Sequence, residues 1–355
     1  MTGHTGFKGA WLSLWLQSLG AEVTGLSRGP GAAGGFYRLA EVGAGMREEL
    51  AADVRDGAAV AAALRASGAE LVFHLAGQPL LRRALREPRL TYEVNLMGTV
   101  NVLQALRGSP SRAAVMVTSD RCYEDAGAGA RPYAEDDPLG GADPYSSSKA
   151  CAELAISAYR RSFLQDAGAP RVASARAGNA IGGGDLGADR LLPDALRAVE
   201  GARRLRVRNP RAERAWQHVL NPLSGYLLLA QRLFGSAAAA RAWNFGPPPG
   251  GSRPVSWIVA RLAQLWDGAL SWELDPGPHP PEAQRVALDS TAARTELGWT
   301  PPWGLQEALA ATVAWQRGAL AGRDMRALSL AQLDAFAAQG AVGDTLACPA
   351  ACEAG

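Results

Sequence analysis

Tyr145 and Lys149 lie four residues apart in PYSSSK and could carry out acid–base chemistry together. A helix beginning near Pro144 would place both side chains on one face, one turn apart. A tyrosine hydroxyl with a pKa of about 10 is a poor base at neutral pH, but an adjacent ammonium favours the phenolate. The pair therefore predicts removal of a proton from a substrate hydroxyl, with an ordinary amphipathic helix as the alternative.

Polar residues at the end of a predicted strand extend this centre. The run AAVMV is typical of a buried strand, and it delivers Thr118, Ser119 and Asp120 at its carboxyl end. Ligands of open parallel sheets bind at the carboxyl ends of the strands. The segment from Thr118 to Lys149 is therefore predicted to be the reaction centre.

The N-terminal glycines predict a dinucleotide site. Residues 2–9, TGHTGFKG, match the T-G-x-x-G-x-x-G phosphate loop and run into the apolar helical stretch WLSLWLQSL. Glycine permits a tight turn and lets the backbone approach a pyrophosphate, which then meets the positive end of a helix. Besides Tyr145 and Lys149, the predicted cofactor contacts come from this loop and from the ends of later strands: Gly3, Thr5, Gly6, Phe7, Gly9, Ser27, Arg28, Asp53, Val54, Leu75 and Ala76.

The predicted cofactor is NAD, with NADP left open. Dinucleotide folds that select NAD usually have an acidic residue after the second strand, where this chain has Ser27 and Arg28. Arg28 could accept a 2′-phosphate, or it could be one more arginine in a chain whose only lysines are Lys8 and Lys149. Asp53 follows a short strand-like segment, where it could meet the adenine amino group.

A buried strand normally precedes the phosphate loop, and only Met1 stands before it here. The expectation is that the first strand is missing because the start codon was assigned too late, with Met1 at the last position of that strand. Loss of four or five buried apolar side chains would cost on the order of 10 kcal/mol.

The amino-acid composition of the chain argues against several classes of function. The 355 residues are 48% hydrophobic and 20% charged, as in an ordinary globular protein, and a net charge of +2 indicates neither nucleic-acid nor membrane-surface binding. No apolar run approaches the length of a membrane span. The four cysteines lack the spacing of a metal site or a disulfide framework, so reduced thiols, a cytoplasmic location and no metal are expected.

The alternation of apolar strands with helical segments predicts an α/β fold: a Rossmann-type doubly wound parallel sheet with a smaller C-terminal substrate-binding domain. Residues 1–178 plus about 216–246 are predicted to form the dinucleotide domain, and about 179–215 plus 247–338 the substrate domain. The small-residue segment 339–355 is predicted to be an unstructured tail.

Arginines in the second half predict a phosphate-bearing substrate. The stretch at 204–220 supplies Arg208, Arg214 and His218, and Asn179 and Arg190 lie upstream of it. Arginine pairs bidentately with phosphate and stacks on bases, which suits a nucleoside diphosphate. The alternatives are a solvated basic strand and, for His218, a hydrogen-bonded position in the core.

Taken in order, TGHTGFKG, TSDRCY, DPYSSSK, RAGNAIGGGD and RAWQHVLNPLSGY resemble the extended short-chain dehydrogenase/reductases, and within them the CDP-glucose 4,6-dehydratases. The resemblance runs from Thr2 to about Ala338. It implies a bound nicotinamide cofactor that takes hydride from carbon 4 of a nucleotide-diphosphate glucose. Water is then lost across carbons 5 and 6, and hydride returns to carbon 6 to give a 4-keto-6-deoxy sugar.

The same resemblance implies roles for the matching residues. Tyr145 is the base at the carbon-4 hydroxyl, Lys149 holds ribose and lowers the tyrosine pKa, and Thr118 hydrogen-bonds the developing carbonyl. Asp120, held protonated by apolar surroundings, releases the carbon-6 hydroxyl as water. A homodimer or homotetramer paired through helices 89–106 and 144–166 is also implied.

Arg121 departs from this pattern at the chemistry itself. These dehydratases typically have lysine after the aspartate as the base at carbon 5, and a guanidinium with a pKa above about 12 is a poor proton acceptor. The proton could leave instead to Glu124, Tyr145 or water, with Arg121 stabilising the enolate. Two alternatives therefore stay open: a 4-epimerase that returns hydride to carbon 4, and a catalytically silent nucleotide-sugar binding protein.

Overall fold

The computed structural model describes residues 1–127, 131–248, 251–279 and 285–340. The strands are β1 Thr24–Ser27, β2 Glu48–Ala51, β3 Leu71–His74, β4 Ala113–Val117, β5 Arg171–Ala177, β6 Asn179–Ile181, β7 Leu205–Val207, β8 Glu213–His218, β9 Ala242–Phe245, β10 Ser252–Pro254, β11 Trp272–Leu274 and β12 Arg285–Val286. The helices are α1 Phe7–Ser18, α2 Phe36–Leu39, α3 Gly57–Ser67, α4 Leu81–Arg86, α5 Pro88–Tyr92, α6 Gly98–Leu106, α7 Pro144–Phe163, α8 Leu191–Glu200, α9 Leu220–Gly235, α10 Val255–Leu265, α11 Thr291–Glu296, α12 Leu305–Leu320 and α13 Met325–Ala337. In this part of the chain no helix combines the length and the apolar character needed to cross a bilayer.

The main sheet is parallel and has the predicted Rossmann-type arrangement. β1 pairs with β2, and β3, β4, β5 and β9 form a four-stranded sheet in that order, with every pairing parallel. Thr2 joins the two sets through parallel bridges to Leu26 and His74. β1 and then β2 lie on one side of Thr2, and β3, β4, β5 and β9 lie on the other side. The strand order therefore reverses at Thr2, and doubly wound sheets bind ligands at such a point. The predicted fold class is confirmed.

The N-terminal residues occupy the central position of this sheet. The Met1 amine donates to the Thr24 carbonyl at 2.6 Å, and the Leu26 amide donates to the Met1 carbonyl at 2.8 Å. On the other side, the Thr2 amide donates to the Phe73 carbonyl at 3.0 Å. Burial lowers the pKa of the Met1 amine to about 6. Met1 and Thr2 thus lie between β1 and β3, where the sequence analysis expected a missing strand.

Two apolar helices pack beneath the parallel sheet. In α1 the side chains of Trp11, Leu12 and Leu14 are fully buried, and Trp11 stacks on Phe36 with 4.0 Å between ring centroids. Most of α9 is also buried, against β4 and β5. Helices that are hydrophobic all round belong in the core of a protein. The glycine loop therefore lies between the sheet and α1. A shift of α1 would expose the buried Trp11 side chain, so the position of the loop is fixed.

A second, smaller set of strands surrounds β8. β6 and β12 pair with β8 in parallel and β10 pairs with it antiparallel, while β7 and β11 form a separate parallel pair. Helices α8, α10 and α12 pack around an apolar cluster that includes Ile258 and Leu262. The predicted domain boundary near residue 216 falls inside β8 rather than in a loop.

Two further predictions concern helices and the C-terminus. A π-helical turn, Glu93–Met97, joins α5 to α6, so the predicted helix 89–106 is one element in which a π turn separates two α-helical segments. Of the predicted tail, residues 341–355 lie outside the described residues. Gln339 and Gly340 close the end of α13 through backbone hydrogen bonds to Phe336 and Ala337.

Candidate active site

A cavity of about 470 Å³ opens at the carboxyl ends of β3, β4 and β5, between the main sheet and the strands around β8. The glycine loop and the first turn of α1 line one side, and α8, β7 and β8 contribute to the other. Open parallel sheets bind ligands at this edge. All the predicted catalytic residues line the cavity: Thr118, Asp120, Arg121, Tyr145 and Lys149.

The glycine loop is too tight for side chains at two positions. A Cβ at Gly3, whose φ is +73°, would lie 2.7 Å from the Ala76 amide nitrogen. A Cβ at Gly9 would lie 2.1 Å from the Gly3 carbonyl oxygen. The loop ends where Phe7 begins α1. This bare backbone at a helix N-terminus fits the pyrophosphate of a dinucleotide.

The predicted cofactor contacts fall into two sets. Those that line the cavity are Gly3, Gly6, Phe7, Gly9, Leu75, Tyr145 and Lys149. Those at the same edge of the sheet that do not line the cavity are Thr5, Ser27, Arg28, Asp53, Val54 and Ala76. The Asp53 carboxylate pairs with Arg55 at 2.8 Å, and its hydrogen bonds with Arg55 lower the pKa of Asp53. Asp53 is therefore already engaged by an arginine.

Helix α7 positions Tyr145 and Lys149. Asp143 caps the helix by accepting from the amides of Tyr145 and Ser146 at 2.9 Å, and Pro144 takes the first helical position. Burial lowers the pKa of Lys149 to about 8. Within the described ranges no hydrogen bond or ion pair engages the Lys149 ammonium, so its donors are available to a ligand.

The Tyr145 hydroxyl donates to Ser119 Oγ at 3.2 Å. Burial raises the pKa of Tyr145, with the Asp120 charge acting in the same direction and the Ser119 hydrogen bond opposing both. Among the protein's own groups, the loss of hydration therefore outweighs the effect of nearby positive charge on the Tyr145 pKa. The predicted preference for the phenolate depends also on the positive charge of a bound nicotinium ring, and it stays a prediction.

Ser119, which was absent from the predicted catalytic group, is the hydroxyl that contacts Tyr145. Thr118 borders the cavity, but its hydroxyl donates to Glu153 on the far side. A threonine hydroxyl has one proton, and a carboxylate can only accept. Thr118 therefore has no proton left to donate to a developing carbonyl oxygen, the role that the resemblance implies for it.

A buried charge network supports this part of the site. Glu153 Oε2 accepts from Ser174 Oγ and from Arg176 Nη2, each at 2.8 Å, and Oε1 accepts from Thr118. Arg176 Nη1 donates to the Tyr123 hydroxyl at 2.7 Å. The side chains of Glu153 and Arg176 are 2% and 4% exposed, so the pair is cut off from water. Glu153 lies one helical turn beyond Lys149 on α7.

Asp120 is a buried carboxyl among positive charges. Burial raises its pKa, and the charge of Arg121, a hydrogen bond from Ser119 and the charges of Lys8 and Arg214 act against burial. Ser119 Oγ donates to Asp120 Oδ1 at 3.1 Å. The net direction is upward, which suits a carboxyl that holds a proton for donation.

Lys8 is a further amine at the cavity. It lies in the first turn of α1, lines the cavity, and has its pKa lowered to about 8 by burial, while Asp120 raises it. Sequence reasoning had not placed Lys8 in the site. The available signal was that Lys8 is one of only two lysines in an arginine-rich chain, and the other is Lys149.

Four of the predicted substrate contacts line the cavity: Asn179, Arg190, Arg208 and Arg214. Arg190 Nη1 donates to Asp185 at 2.9 Å, and Arg208 Nη2 donates to the Asp189 carbonyl at 3.1 Å. A guanidinium has five N–H donors, so these bonds position each arginine and leave donors for an anion.

The fifth predicted substrate contact, His218, does not line the cavity. Its ring is fully buried beside Trp11 and Trp303, with centroids 6.0 and 4.8 Å away, and Nδ1 accepts from the Leu220 amide at 3.3 Å. Burial lowers the pKa of His218 to about 3, so the ring is neutral. This placement favours the core alternative over substrate binding.

Comparison with known proteins gives matches along most of the chain. Residues 1–246 match the NAD dependent epimerase/dehydratase family. A CDP-glucose 4,6-dehydratase of Salmonella typhimurium is 43% identical over 331 residues, which cover 92% of each chain. A UDP-glucose 4-epimerase of Mycolicibacterium smegmatis is 27% identical, over 89% of this chain and 97% of its own.

Solved structures show the same fold. A dTDP-glucose 4,6-dehydratase from Streptomyces venezuelae with NAD bound superimposes with a TM-score of 0.77 at 22% identity, covering 92% of this chain and 98% of its own. A UDP-glucose 4-epimerase from Thermus thermophilus in complex with NAD gives 0.76 at 25% identity, over 90% and 98%. On the extent of the family match and the similarity to the Salmonella enzyme, the chain belongs to the NAD dependent epimerase/dehydratase family.

Proposed function

We propose that the protein is an NAD-dependent 4,6-dehydratase that converts CDP-glucose to CDP-4-keto-6-deoxyglucose. The observation that carries the proposal is one cavity in which Tyr145, Lys149 and the buried carboxyl of Asp120 lie between a pyrophosphate cradle and a group of arginines. The tyrosine and the lysine would act in the oxidation at carbon 4, and the carboxyl would act as the acid in the loss of water. The 43% identity to a CDP-glucose 4,6-dehydratase supports the same reaction.

The two sets of strands support the proposed division into two domains, except that β8 belongs as a whole to the second set. Residues 1–178 plus about 216–246 would hold the cofactor, through the backbone of the glycine loop, Leu75 and the Lys149 ammonium. NAD, when bound, supplies the acceptor for the hydrogen of carbon 4 and the donor to carbon 6. Residues 179–215 plus 247–338 would hold the nucleotide, with Arg190, Arg208 and Arg214 directed to its diphosphate.

The general base that removes the proton from carbon 5 differs from the residues that the sequence analysis considered. Arg121 is a poor acceptor, and Glu124 does not line the cavity because its carboxylate packs on Gly140, where a Cβ would lie 1.7 Å from Oε2. Lys8 lines the cavity with Asp120, and its lowered pKa leaves a useful fraction of neutral amine near pH 8. We assign Lys8 to the carbon-5 proton, with Arg121 stabilising the enolate.

A Lys8→Met variant is expected to make the 4-keto-6-deoxy product at least about 10²-fold more slowly, because the general base is lost. Adding Arg121→Lys to this variant should restore part of the rate, since it supplies an amine beside Asp120. Product formation and deuterium uptake at carbon 5 in D₂O, followed by NMR, measure both effects. NAD and CDP affinities by calorimetry are the controls. Wild-type exchange at carbon 5 in Lys8→Met would remove Lys8 from this role.

The function itself is tested by incubation with CDP-, UDP-, GDP- and dTDP-glucose. A 4-keto-6-deoxy product from CDP-glucose, seen by NMR, is the expected result. The second candidate is a 4-epimerase, favoured by Arg121 in place of lysine, and it would give the galactose configuration with the carbon-6 hydroxyl retained. Tight binding without any conversion would instead indicate a silent nucleotide-sugar binding protein and would contradict both enzymes.

We propose that two copies pair through α7 and the helix formed by α5, the π turn and α6. These helices pack against each other within the chain. Met97 and Leu154, on the two elements, are 47% and 59% exposed although both are large and apolar. Covering them with a second copy gives a homodimer, and pairing of dimers would give a homotetramer.

A further inference from the structure

The carboxylate of Asp189 is shared by two arginines that come from opposite sides of the cavity. Asp189 Oδ1 lies 3.4 Å from Arg82 Nη1 and 3.8 Å from Arg208 Nη1. Arg82 is on α4, which follows β3 on the cofactor side, whereas Arg208 follows β7 on the substrate side. All three residues line the cavity. The shared carboxylate therefore joins the two proposed domains across the cavity.

Arg82 is oriented by its neighbours and has a donor to spare. Its Nη2 donates to His279 Nδ1 at 3.1 Å, and because arginine can only donate, the ring proton of His279 is on Nε2, which donates to the Asp275 carbonyl at 3.0 Å. The Arg82 Nε donor is buried and meets no acceptor among the residues that the structure describes. A buried donor without an acceptor costs free energy, and an arriving anion would recover it.

We propose that Arg82 binds the diphosphate of the substrate from the cofactor side, and that this diphosphate replaces the Asp189 carboxylate between Arg82 and Arg208. The inference rests on the proposed nucleotide-sugar function. It adds a phosphate contact from outside the substrate domain, and it makes Asp189 an internal anion that the substrate must displace.

The two carboxylates of the segment before α8 differ in how firmly they are held. Strong charge-assisted hydrogen bonds measure about 2.7–2.9 Å, and both contacts of Asp189 are longer. The Asp189 side chain is also 39% exposed, so water and a competing anion can reach it. Asp185, in contrast, accepts from Arg190 at 2.9 Å and is only 9% exposed. Asp189 is therefore the carboxylate that an anion can replace, while Asp185 keeps Arg190 in position.

The charges of the group favour the exchange. Arg82 and Arg208 are two guanidinium groups that share the single carboxylate of Asp189. A diphosphate carries negative charge on both of its phosphates, and arginine pairs bidentately with phosphate. The exchange therefore replaces two long contacts to one anionic group with direct contacts to two.

The backbone of Asp189 allows its charge to be tested alone. Its φ is +60°, in the left-handed region where aspartate and asparagine occur more often than other residues with a side chain. Asp189→Asn therefore keeps the backbone conformation and the size of the side chain and removes only the negative charge.

Opposite changes in affinity are expected for the two partners, measured by calorimetry with CDP and protein saturated with NAD, so that the glycine loop is already filled. Asp189→Asn should bind CDP about 3- to 10-fold more tightly than the wild type, because CDP no longer displaces two half-exposed ion pairs. Arg82→Met should bind CDP at least about 10-fold more weakly, because charge-assisted hydrogen bonds to phosphate are lost. A carboxylate that only positioned the arginines would give weaker binding when neutralised.

Two further variants serve as controls. Glu273→Gln removes the same charge from β11, where Glu273 lies 3.4 Å from Arg204 and neither residue lines the cavity, so CDP affinity should match the wild type. This control separates the exchange from an effect of net charge. Arg82→Lys keeps the charge and loses the planar fork, so its affinity should fall between those of the wild type and Arg82→Met. The KM for CDP-glucose should follow CDP affinity in each variant.

The outcomes distinguish the exchange from the function on which it rests. A wild-type protein that binds no CDP would overturn both. A wild-type protein that binds CDP without converting any CDP-glucose, with opposite shifts in Asp189→Asn and Arg82→Met, would overturn the dehydratase and leave the exchange standing. Conversion by the wild type, with Asp189→Asn binding CDP no more tightly or Arg82→Met binding it equally well, would overturn the exchange alone.

Discussion

Replacement of Tyr145 by phenylalanine is expected to lower the turnover of CDP-glucose by about 10³-fold, within the range that general acid–base groups contribute. The hydroxyl is the proposed acceptor of the carbon-4 proton, and it donates a hydrogen bond to Ser119 Oγ. Its removal leaves the ring, the helix and Lys149 in place, so affinity for CDP should stay the same. Initial rates of keto-sugar formation and calorimetry of CDP binding measure the two quantities.

The matched control is Tyr159→Phe. Tyr159 lies on the same helix α7, and its hydroxyl donates to Gln104 at 3.3 Å on the exposed side of the protein. Loss of that bond removes a hydroxyl from the same helix without touching the cavity, so turnover should match the wild type. Tyr145→Phe turnover that stays within a few-fold of the control would contradict the assignment of the base.

Replacement of Glu153 by leucine is expected to lower the free energy of unfolding by about 3–5 kcal/mol, because it leaves the Arg176 guanidinium buried without its counter-ion. The carboxylate also accepts from Ser174 and Thr118, and those donors would lose their partner. Urea unfolding followed by circular dichroism gives the change, provided that the slope of the transition stays the same.

The double variant Glu153→Leu with Arg176→Met is the control that isolates the charge. Apolar groups of similar volume in place of a buried ion pair are often neutral or stabilising, so the double variant should be more stable than Glu153→Leu. An exposed pair provides the opposite control: Arg47 and Glu22 are 57% and 73% exposed, and Glu22→Gln should leave the transition unchanged. A double variant less stable than the single one would show that the network matters through its hydrogen bonds rather than its charge.

The elements that carry strong local patterns could be predicted from the chain alone. The glycine loop, the apolar strand before Thr118 and the Pro-started helix of Tyr145 each combine a periodic pattern with a turn or cap signal, and each lies where the pattern placed it. Their meeting at one sheet edge follows from the parallel order of the strands. This is why Tyr145, Lys149 and Asp120 could be grouped without coordinates.

Side-chain direction could not be predicted in the same way. Thr118 and Ser119 are adjacent hydroxyls after the same strand, and only the packing of Glu153 decides which one faces away from the cavity. His218 looked like a site residue because it follows two arginines, yet two tryptophans distant in sequence enclose it. Such choices depend on contacts between segments far apart in the chain, for which local periodicity carries no signal.

The placement of three working side chains on α7 has a consequence for how this protein can vary. Tyr145, Lys149 and Glu153 are spaced by four residues, so their side chains project from three successive turns of the same helix. A single codon inserted after Lys149 would rotate Glu153 by about 100° and point its carboxylate away from Arg176. An insertion or deletion between Lys149 and Glu153 would therefore separate the buried ion pair from the catalytic residues, whereas a substitution on the exposed face of α7 keeps the spacing.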